Sequence, residues 1–135
     1  MKKTFETTHL LNAPANRVWE NIRKATGVNT WLPVITACRL DGNKRICTTE
    51  QGDMEETILK IDNVQRLFQY SIDKQSLLPI KDVIGTMKVS DKAGKTELTW
   101  NLDFSIQDET VLPVVTQAIQ SMYEAGAKGL ETISQ

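Results

Sequence analysis

Cysteine and histidine are scarce in this sequence of 135 residues, and each shortage excludes a class of protein. Two cysteines, Cys38 and Cys47, are too few for a disulfide-rich scaffold. A single histidine, His9, and the lack of any Cys-x-x-Cys pair argue against a zinc site. No Walker A, Gly-x-Gly-x-x-Gly or Gly-x-Ser-x-Gly pattern occurs. We therefore expect no metal and no cofactor.

The chain also has no long apolar run and no excess of charge of either sign. No segment approaches the roughly 20 apolar residues that a membrane span needs. Lys2-Lys3 is not followed by a continuous apolar segment, which argues against a signal peptide. The net charge is −1 and both signs are mixed along the chain, so no nucleic-acid surface is indicated. We expect a cytoplasmic protein, a monomer or weak homodimer, with no nucleic-acid partner and no stable membrane insertion.

The composition fits one domain over residues 1–135. Of the residues 40 % are apolar, and the length allows a hydrophobic core without disulfide bonds or a metal ion. Residues 4–11 read as a strand, a helix begins at Pro14, and a second short helix is predicted over 28–32. Period-two patterns then predict strands over 34–41, 44–49, 55–62, 65–73, 81–90 and 96–105. Residues 108–133 predict a long helix.

This order predicts the α+β class. Successive strands joined by short turns, such as Gly42-Asn43, imply an antiparallel sheet of about six to seven strands. Only the long C-terminal helix is large enough to cover the apolar face of such a sheet, which must curve around it. The helix carries an apolar stripe of Val111, Val115, Ala118, Met122, Ala125, Gly129 and Ile133, which we interpret as facing the core. The small residues and the adaptable Met122 in this stripe would leave space beside it.

Several motifs occur in a characteristic order. They are Asn12-Ala13-Pro14-x-x-x-Val18-Trp19, Trp31-Leu32-Pro33, Arg45, Glu56-x-Ile58-x-x-Ile61-Asp62, Arg66-Leu67-x-x-Tyr70-Ser71-Ile72, Leu78-Pro79 and Thr99-Trp100. Together they resemble the helix-grip superfamily, which includes the major birch-pollen allergen and the START domains, and they are most similar to its polyketide cyclase/dehydrase group. The resemblance implies a helix-grip fold with a hydrophobic cavity that binds a small apolar ligand, lipid-like or polyketide-like. This fold hosts carriers, receptors and enzymes, so the fold alone does not decide the function.

Strand parity and the resemblance together suggest which side chains face the cavity. If Trp100 faces inward, the resemblance points Arg45, Glu56, Tyr70 and Val83 inward too. The turn at 50–51 sets Arg45 opposite Glu56, which predicts a buried bidentate ion pair. This pair either neutralises itself at the cavity base or orients a polar group of the ligand. We expect the arginine to hold the pKa of Glu56 down.

Other candidates have two interpretations each. His9 is a hydrogen-bonded wall residue, or else a ligand contact or general base. Tyr70 lines the wall or donates a hydrogen bond to the ligand. Lys81 lies near the entrance, as a solvated charge or an anion contact, and Leu78 lies in a loop that resembles the entrance loop of the plant receptors of this superfamily. The candidate ligand-binding residues are therefore His9, Arg45, Glu56, Tyr70, Leu78, Lys81, Val83, Trp100 and Met122.

The two cysteines are predicted to lie opposite each other. Counting back from Gly42-Asn43 pairs Cys38 with Cys47 at a non-hydrogen-bonded position, where side chains are nearest. The geometry allows a disulfide. For a cytoplasmic protein we expect two reduced thiols instead.

Three functions are compatible with the sequence. The first is a module that binds an apolar ligand, and the second is a polyketide cyclase/dehydratase-type enzyme with acid–base residues in the same cavity. The third is a protein-interaction domain whose cavity is filled by side chains. The sequence leaves catalysis undecided. The small inventory of acid–base groups favours the binding module.

Overall fold

Seven antiparallel strands make up one curved sheet. The computed structural model describes residues 1–135. The strands are β1 (Lys2–Leu11), β2 (Ala37–Asp41), β3 (Lys44–Thr49), β4 (Gly52–Asp62), β5 (Leu67–Lys74), β6 (Ile80–Lys92) and β7 (Lys95–Ile106). Their order in the sheet is β1-β7-β6-β5-β4-β3-β2. The six strands β2 to β7 therefore pair in chain order, and β1 joins the far side of β7.

Two helices complete the fold, α1 (Ala15–Arg23) and α2 (Leu112–Ile133). The helix α1 begins at Ala15, one residue later than predicted, because Pro14 is extended and takes the cap position. Pro113 lies in the first turn of α2, as predicted. The second short helix is only a 3₁₀ turn over Val28–Thr30. The helix-grip α+β fold is confirmed: α2 covers the apolar face of a seven-stranded antiparallel sheet.

The face of α2 that meets the sheet differs from the predicted stripe. Its buried residues are Val115, Ile119, Tyr123, Gly126, Ala127 and Leu130. Only Val115 belongs to the predicted stripe, while Ala125 and Ile133 are exposed. The prediction was wrong for Ala125 and Ile133, because α2 has apolar residues on more than one face, whereas Val111 and Met122 are half-buried against the core. The stripe that was chosen omits Tyr123, whose ring stacks on the sheet.

Two glycines bring α2 close to the segment that follows the 3₁₀ turn. A Cβ atom at Gly129 would collide with the backbone of Trp31. A Cβ atom at Gly126 would lie 3.0 Å from Leu32 Cδ1 and 3.0 Å from Trp100 Cζ3. The absence of side chains at these positions therefore lets the helix rest directly on Trp31 and Trp100.

The β2–β3 hairpin has the predicted register, with Cys38 opposite Cys47. The two sulfur atoms form a disulfide bond, so the expectation of reduced thiols was wrong. The Cα atoms are 4.2 Å apart, close to the range that a disulfide needs. The expectation of reduced thiols depended on the compartment, whereas the predicted pairing already allowed the bond.

Candidate ligand-binding site

A cavity of about 90 Å³ lies between the sheet, α2 and the segments 28–35 and 75–80. Of its 24 lining residues 21 are hydrophobic, so an apolar ligand would be desolvated at little polar cost. The exceptions are Arg45, Glu56 and Gln75. An apolar cavity of roughly 150 Å³ accepts a molecule the size of benzene. This cavity of about 90 Å³ is smaller than that, so even a benzene-sized ligand must displace part of the lining.

The structure brings seven of the nine predicted residues to this cavity. They are Arg45, Glu56, Tyr70, Leu78, Val83, Trp100 and Met122. They come from β3, β4, β5, β6, β7, α2 and the loop between β5 and β6. The inward positions on the strands agree with those expected from strand parity and the family resemblance together.

His9 and Lys81 do not line the cavity, which corrects their prediction as ligand contacts. His9 is half-buried on the edge strand β1, where Nε2 lies 2.8 Å from Thr7 Oγ1 and burial lowers its pKa. Its face of β1 is covered by α2, not by the cavity. Lys81 is exposed because the ladder between β6 and β7 is irregular at 81–84, where Asp82 has a φ of 54°.

The Arg45–Glu56 pair is buried at the cavity wall, with 5 % and 4 % of each residue exposed. Arg45 Nε donates to Glu56 Oε1 at 2.7 Å, and Nη1 donates to the carbonyl of Ala25 at 3.0 Å. The predicted bidentate geometry was therefore wrong, because only Nε reaches Glu56 while Nη1 is bonded to Ala25. The guanidinium also lies 5.5 Å from the ring centre of Phe68 and 5.3 Å from that of Tyr70. These contacts fix the cation within an apolar wall.

Glu56 keeps unused hydrogen-bonding capacity. Burial raises the pKa of its carboxyl and outweighs the opposing charge of Arg45, so the expectation of a lowered pKa was wrong. Cys47 Sγ lies 3.7 Å from Oε1, but a disulfide sulfur has no proton to donate. No hydrogen bond reaches Oε2. A buried carboxyl with one free oxygen can exchange a proton with a bound molecule.

An aromatic cluster forms the other side of the cavity. The ring of Trp100 stacks on Tyr123 with centroids 3.8 Å apart and planes 6° from parallel. Trp100 Nε1 donates to the Tyr70 hydroxyl at 3.1 Å, and burial raises the pKa of Tyr70 to about 12. A Cβ atom at Gly85 would collide with the Tyr70 ring, so this glycine makes room for it. Tyr70 is therefore a neutral, positioned wall residue.

Gln75 fastens the loop that covers the cavity. Its Nε2 donates to the carbonyls of Leu78 at 2.7 Å and Ile80 at 3.1 Å. Its Oε1 accepts from the backbone N–H groups of Leu77 at 2.8 Å and Leu78 at 2.9 Å. Every hydrogen-bonding position of the amide is thus engaged within the loop. Leu77 and Leu78 line the cavity, so this part of the cavity wall is held in place by the side chain of Gln75.

The sequence matches the model of the family described as "Polyketide cyclase / dehydrase and lipid transport" over residues 2–135. The chain belongs to this family. No curated protein matches the sequence.

Solved structures with the same fold are similar across almost the whole chain. The protein XoxI from Bacillus cereus has a TM-score of 0.83 at 19 % identity, covering 97 % of this chain and 94 % of its own. A putative uncharacterized protein from Bacillus thuringiensis has a TM-score of 0.79 at 19 % identity, with 95 % and 98 % covered. A protein from Nitrosospira multiformis has a TM-score of 0.81 at 17 % identity, with 98 % and 97 % covered. At these identities the likeness shows the fold alone.

Sequence reasoning missed several residues of this family member's cavity, notably Trp31, Phe68, Gln75 and Tyr123. Phe68 could have been found, because it shares the inward parity of Tyr70 on β5. Tyr123 was missed with the wrong stripe on α2. The role of Gln75 depends on loop geometry, for which the sequence carries no signal.

Neither helix combines the length and hydropathy that crossing a membrane would require.

Proposed function

We propose that this protein binds a small, mostly apolar ligand in the cavity between the sheet and α2. The observation that carries the proposal is a partly enclosed cavity with 21 hydrophobic residues among its 24 lining residues and one buried ion pair in its wall. Apolar burial supplies affinity, and the few polar atoms select the ligand. An unfilled cavity also gives no support to the interpretation of a protein-interaction domain with a filled core.

Ligand entry requires the wall to move, since the cavity of about 90 Å³ holds only a small fragment. The loop of Leu77 and Leu78 is the natural entrance, because it is half-buried and fastened by one side chain. Met54 and Met122 also line the cavity and have several rotatable bonds, so they can rearrange around a guest.

The direct test is native mass spectrometry of the purified protein, followed by solvent extraction and identification of any released molecule. We expect a mass increase that disappears after extraction and corresponds to an apolar compound. Protein that carries nothing, and that also binds none of a panel of fatty acids, aromatic ketones and polyketide-like compounds, would contradict the proposal.

A matched pair of variants shows whether the cavity is the site. Val83→Phe adds volume to the cavity wall, whereas Leu59→Phe adds the same kind of ring to an exposed position. We expect Val83→Phe to lose binding while Leu59→Phe retains it. Both variants are first compared with the wild type by circular dichroism, because overpacking typically destabilises by about 1–3 kcal/mol. Equal binding by the two variants would place the site elsewhere.

A second candidate function is proton transfer by Glu56 on a bound ketone. It is favoured by the raised pKa of this buried carboxyl and by its free Oε2. The test is incorporation of solvent deuterium into the methyl group of acetophenone, followed by NMR. We expect faster incorporation with wild-type protein than with Glu56→Gln. If the wild type and Glu56→Gln bind acetophenone equally well and incorporate deuterium at equal rates, ligand binding is left as the only proposed function.

A further inference from the structure

The three tryptophans of the chain differ in the partner of their indole N–H group. Trp19 Nε1 donates to Asn63 Oδ1 at 3.0 Å, and Trp100 Nε1 donates to the Tyr70 hydroxyl at 3.1 Å. Trp31 Nε1 has no partner, and it is the only side-chain nitrogen or oxygen atom in the chain that is itself shielded from solvent and lacks one. An unpaired buried donor costs about 1–3 kcal/mol, so its presence needs a reason.

Trp31 belongs to the cavity wall and cannot easily turn to find a partner. It is 95 % buried, since only 5 % of its surface is exposed, and it lines the cavity. Its ring lies against Trp100 with centroids 5.9 Å apart and planes tilted by 58°. The backbone of Trp31 is pressed onto α2 at Gly129. The indole is therefore a fixed, unpaired donor within the cavity wall.

The charges of the cavity decide which acceptor suits this donor. Arg45 and Glu56 are the arginine and the carboxylic acid of the lining, and they already pair with each other. A carboxylate ligand would add an uncompensated negative charge to this low-dielectric space, beside Glu56. A neutral oxygen without this charge satisfies the indole N–H at no such cost.

We propose that the ligand is a neutral, mostly apolar carbonyl compound, and that its oxygen accepts a hydrogen bond from Trp31 Nε1 when entry opens the cavity at that wall. This inference rests on the proposed ligand-binding function. It makes Trp31 the residue that selects a ketone, ester or lactone over a hydrocarbon, while the Arg45–Glu56 pair disfavours a free acid.

Three planar probes of equal size test the inference. They are acetophenone, α-methylstyrene, in which a CH₂ group replaces the oxygen, and benzoate, which carries the charge. Binding is followed by ¹⁵N NMR of the three indole N–H signals, assigned from their nuclear Overhauser contacts in the wild type and checked with Trp31→Phe and Trp19→Phe. We expect acetophenone to bind about tenfold more tightly than α-methylstyrene, the value of one good hydrogen bond. We expect benzoate to bind most weakly.

The variants identify the donor. Trp31→Phe keeps a ring and removes the N–H group, so the preference for acetophenone should disappear, whereas Trp19→Phe should retain it because Trp19 is not part of the cavity lining. The Trp31 indole proton should move downfield with acetophenone and not with α-methylstyrene. If Trp31→Phe fails to fold, this shift in the wild type decides by itself.

The failures of the two proposals are distinguishable. Equal binding of acetophenone and α-methylstyrene would overturn the carbonyl inference and leave apolar binding intact. A lasting nuclear Overhauser effect from the Trp31 indole to a bound water, unchanged by acetophenone, would also overturn it. Protein that binds none of the three probes and releases no extracted molecule would contradict the binding function itself.

Discussion

At the scale of single residues, the Arg45–Glu56 pair decides how the cavity wall responds to substitution. Arg45→Met removes the cation and leaves a carboxyl in an apolar wall, so we expect a loss of about 3–5 kcal/mol in the free energy of unfolding. The double variant Arg45→Met/Glu56→Leu removes both charges and should be more stable than the single variant. Urea unfolding at neutral pH measures both. A loss of under about 1 kcal/mol in the single variant would show that the pair is not buried as described.

The same glutamate predicts a pH dependence. Its folded-state pKa lies above the ordinary value of 4.5, so the folded protein holds this proton more tightly than the unfolded chain. The stabilising contribution is complete below pH 4.5 and is lost as the pH rises through the folded-state pKa. We therefore expect the wild type to lose stability relative to Glu56→Gln as the pH is raised from about 4.5. A constant difference between the two proteins over this range would contradict the raised pKa.

The sequence predicted the inward positions of these residues well and their partners less well. Arg45, Glu56 and Tyr70 line the cavity as expected, because parity within a strand is local and the family resemblance relates one strand to the next. The bond from Arg45 to Ala25 joins positions that are 20 residues apart, so no local pattern indicates it. The unpaired state of Trp31 is equally invisible, because it depends on everything that surrounds the indole.

At the scale of elements, the close contact of α2 with Trp31 predicts that Gly129 and Gly126 tolerate substitution by alanine to different degrees. Alanine is favoured over glycine inside a helix by about 1 kcal/mol, which would stabilise either variant. Gly129→Ala drives its Cβ into backbone atoms of Trp31, which cannot move without lifting the helix. Gly126→Ala meets the flexible end of Leu32 and the edge of the Trp100 ring, both at 3.0 Å.

We therefore expect Gly129→Ala to be destabilised by about 1–3 kcal/mol, and Gly126→Ala to be clearly milder. Thermal unfolding of both variants beside the wild type measures the order. If Gly129→Ala were as stable as the wild type, α2 would not rest on Trp31 as described.

Elements were predicted more reliably than the faces they present. The seven strands, the Gly42-Asn43 hairpin and the long helix follow from alternation, turn residues and length. The buried face of α2 does not follow, because its sequence offers apolar residues on neighbouring faces and the shape of the sheet selects among them. This is why Tyr123 entered the site only through the structure.

At the scale of the whole molecule, the disulfide fastens one edge of the sheet. Cys38 lies on β2, which pairs only with β3, and the bond closes a loop with a sequence separation of 9. A crosslink over a loop of this size restricts the unfolded chain enough to stabilise the fold by about 2–3 kcal/mol. We therefore expect reduction with dithiothreitol to lower the urea midpoint.

The control for this prediction is Cys38→Ala/Cys47→Ala, whose midpoint should not respond to the reductant. Equal midpoints for the wild type with and without reductant, with the thiols shown to be reduced by mass spectrometry, would contradict a stabilising role. The disulfide is also part of the candidate ligand site, because Cys47 lines the cavity.

The position of β1 has a kinetic consequence. Strands β2 to β7 each pair with the next strand along the chain, whereas β1 pairs with β7, joining Lys2 to Ser105 and Leu11 to Thr96. Closing so long a loop is entropically expensive, so the meander of β2 to β7 should assemble before β1 is recruited. Truncations such as Phe5→Ala on β1 should then speed unfolding and leave the folding rate almost unchanged. Before β1 pairs with β7, a partly folded chain would expose the apolar residues that later line the cavity. Aggregation during refolding should therefore increase when the pairing of β1 is weakened.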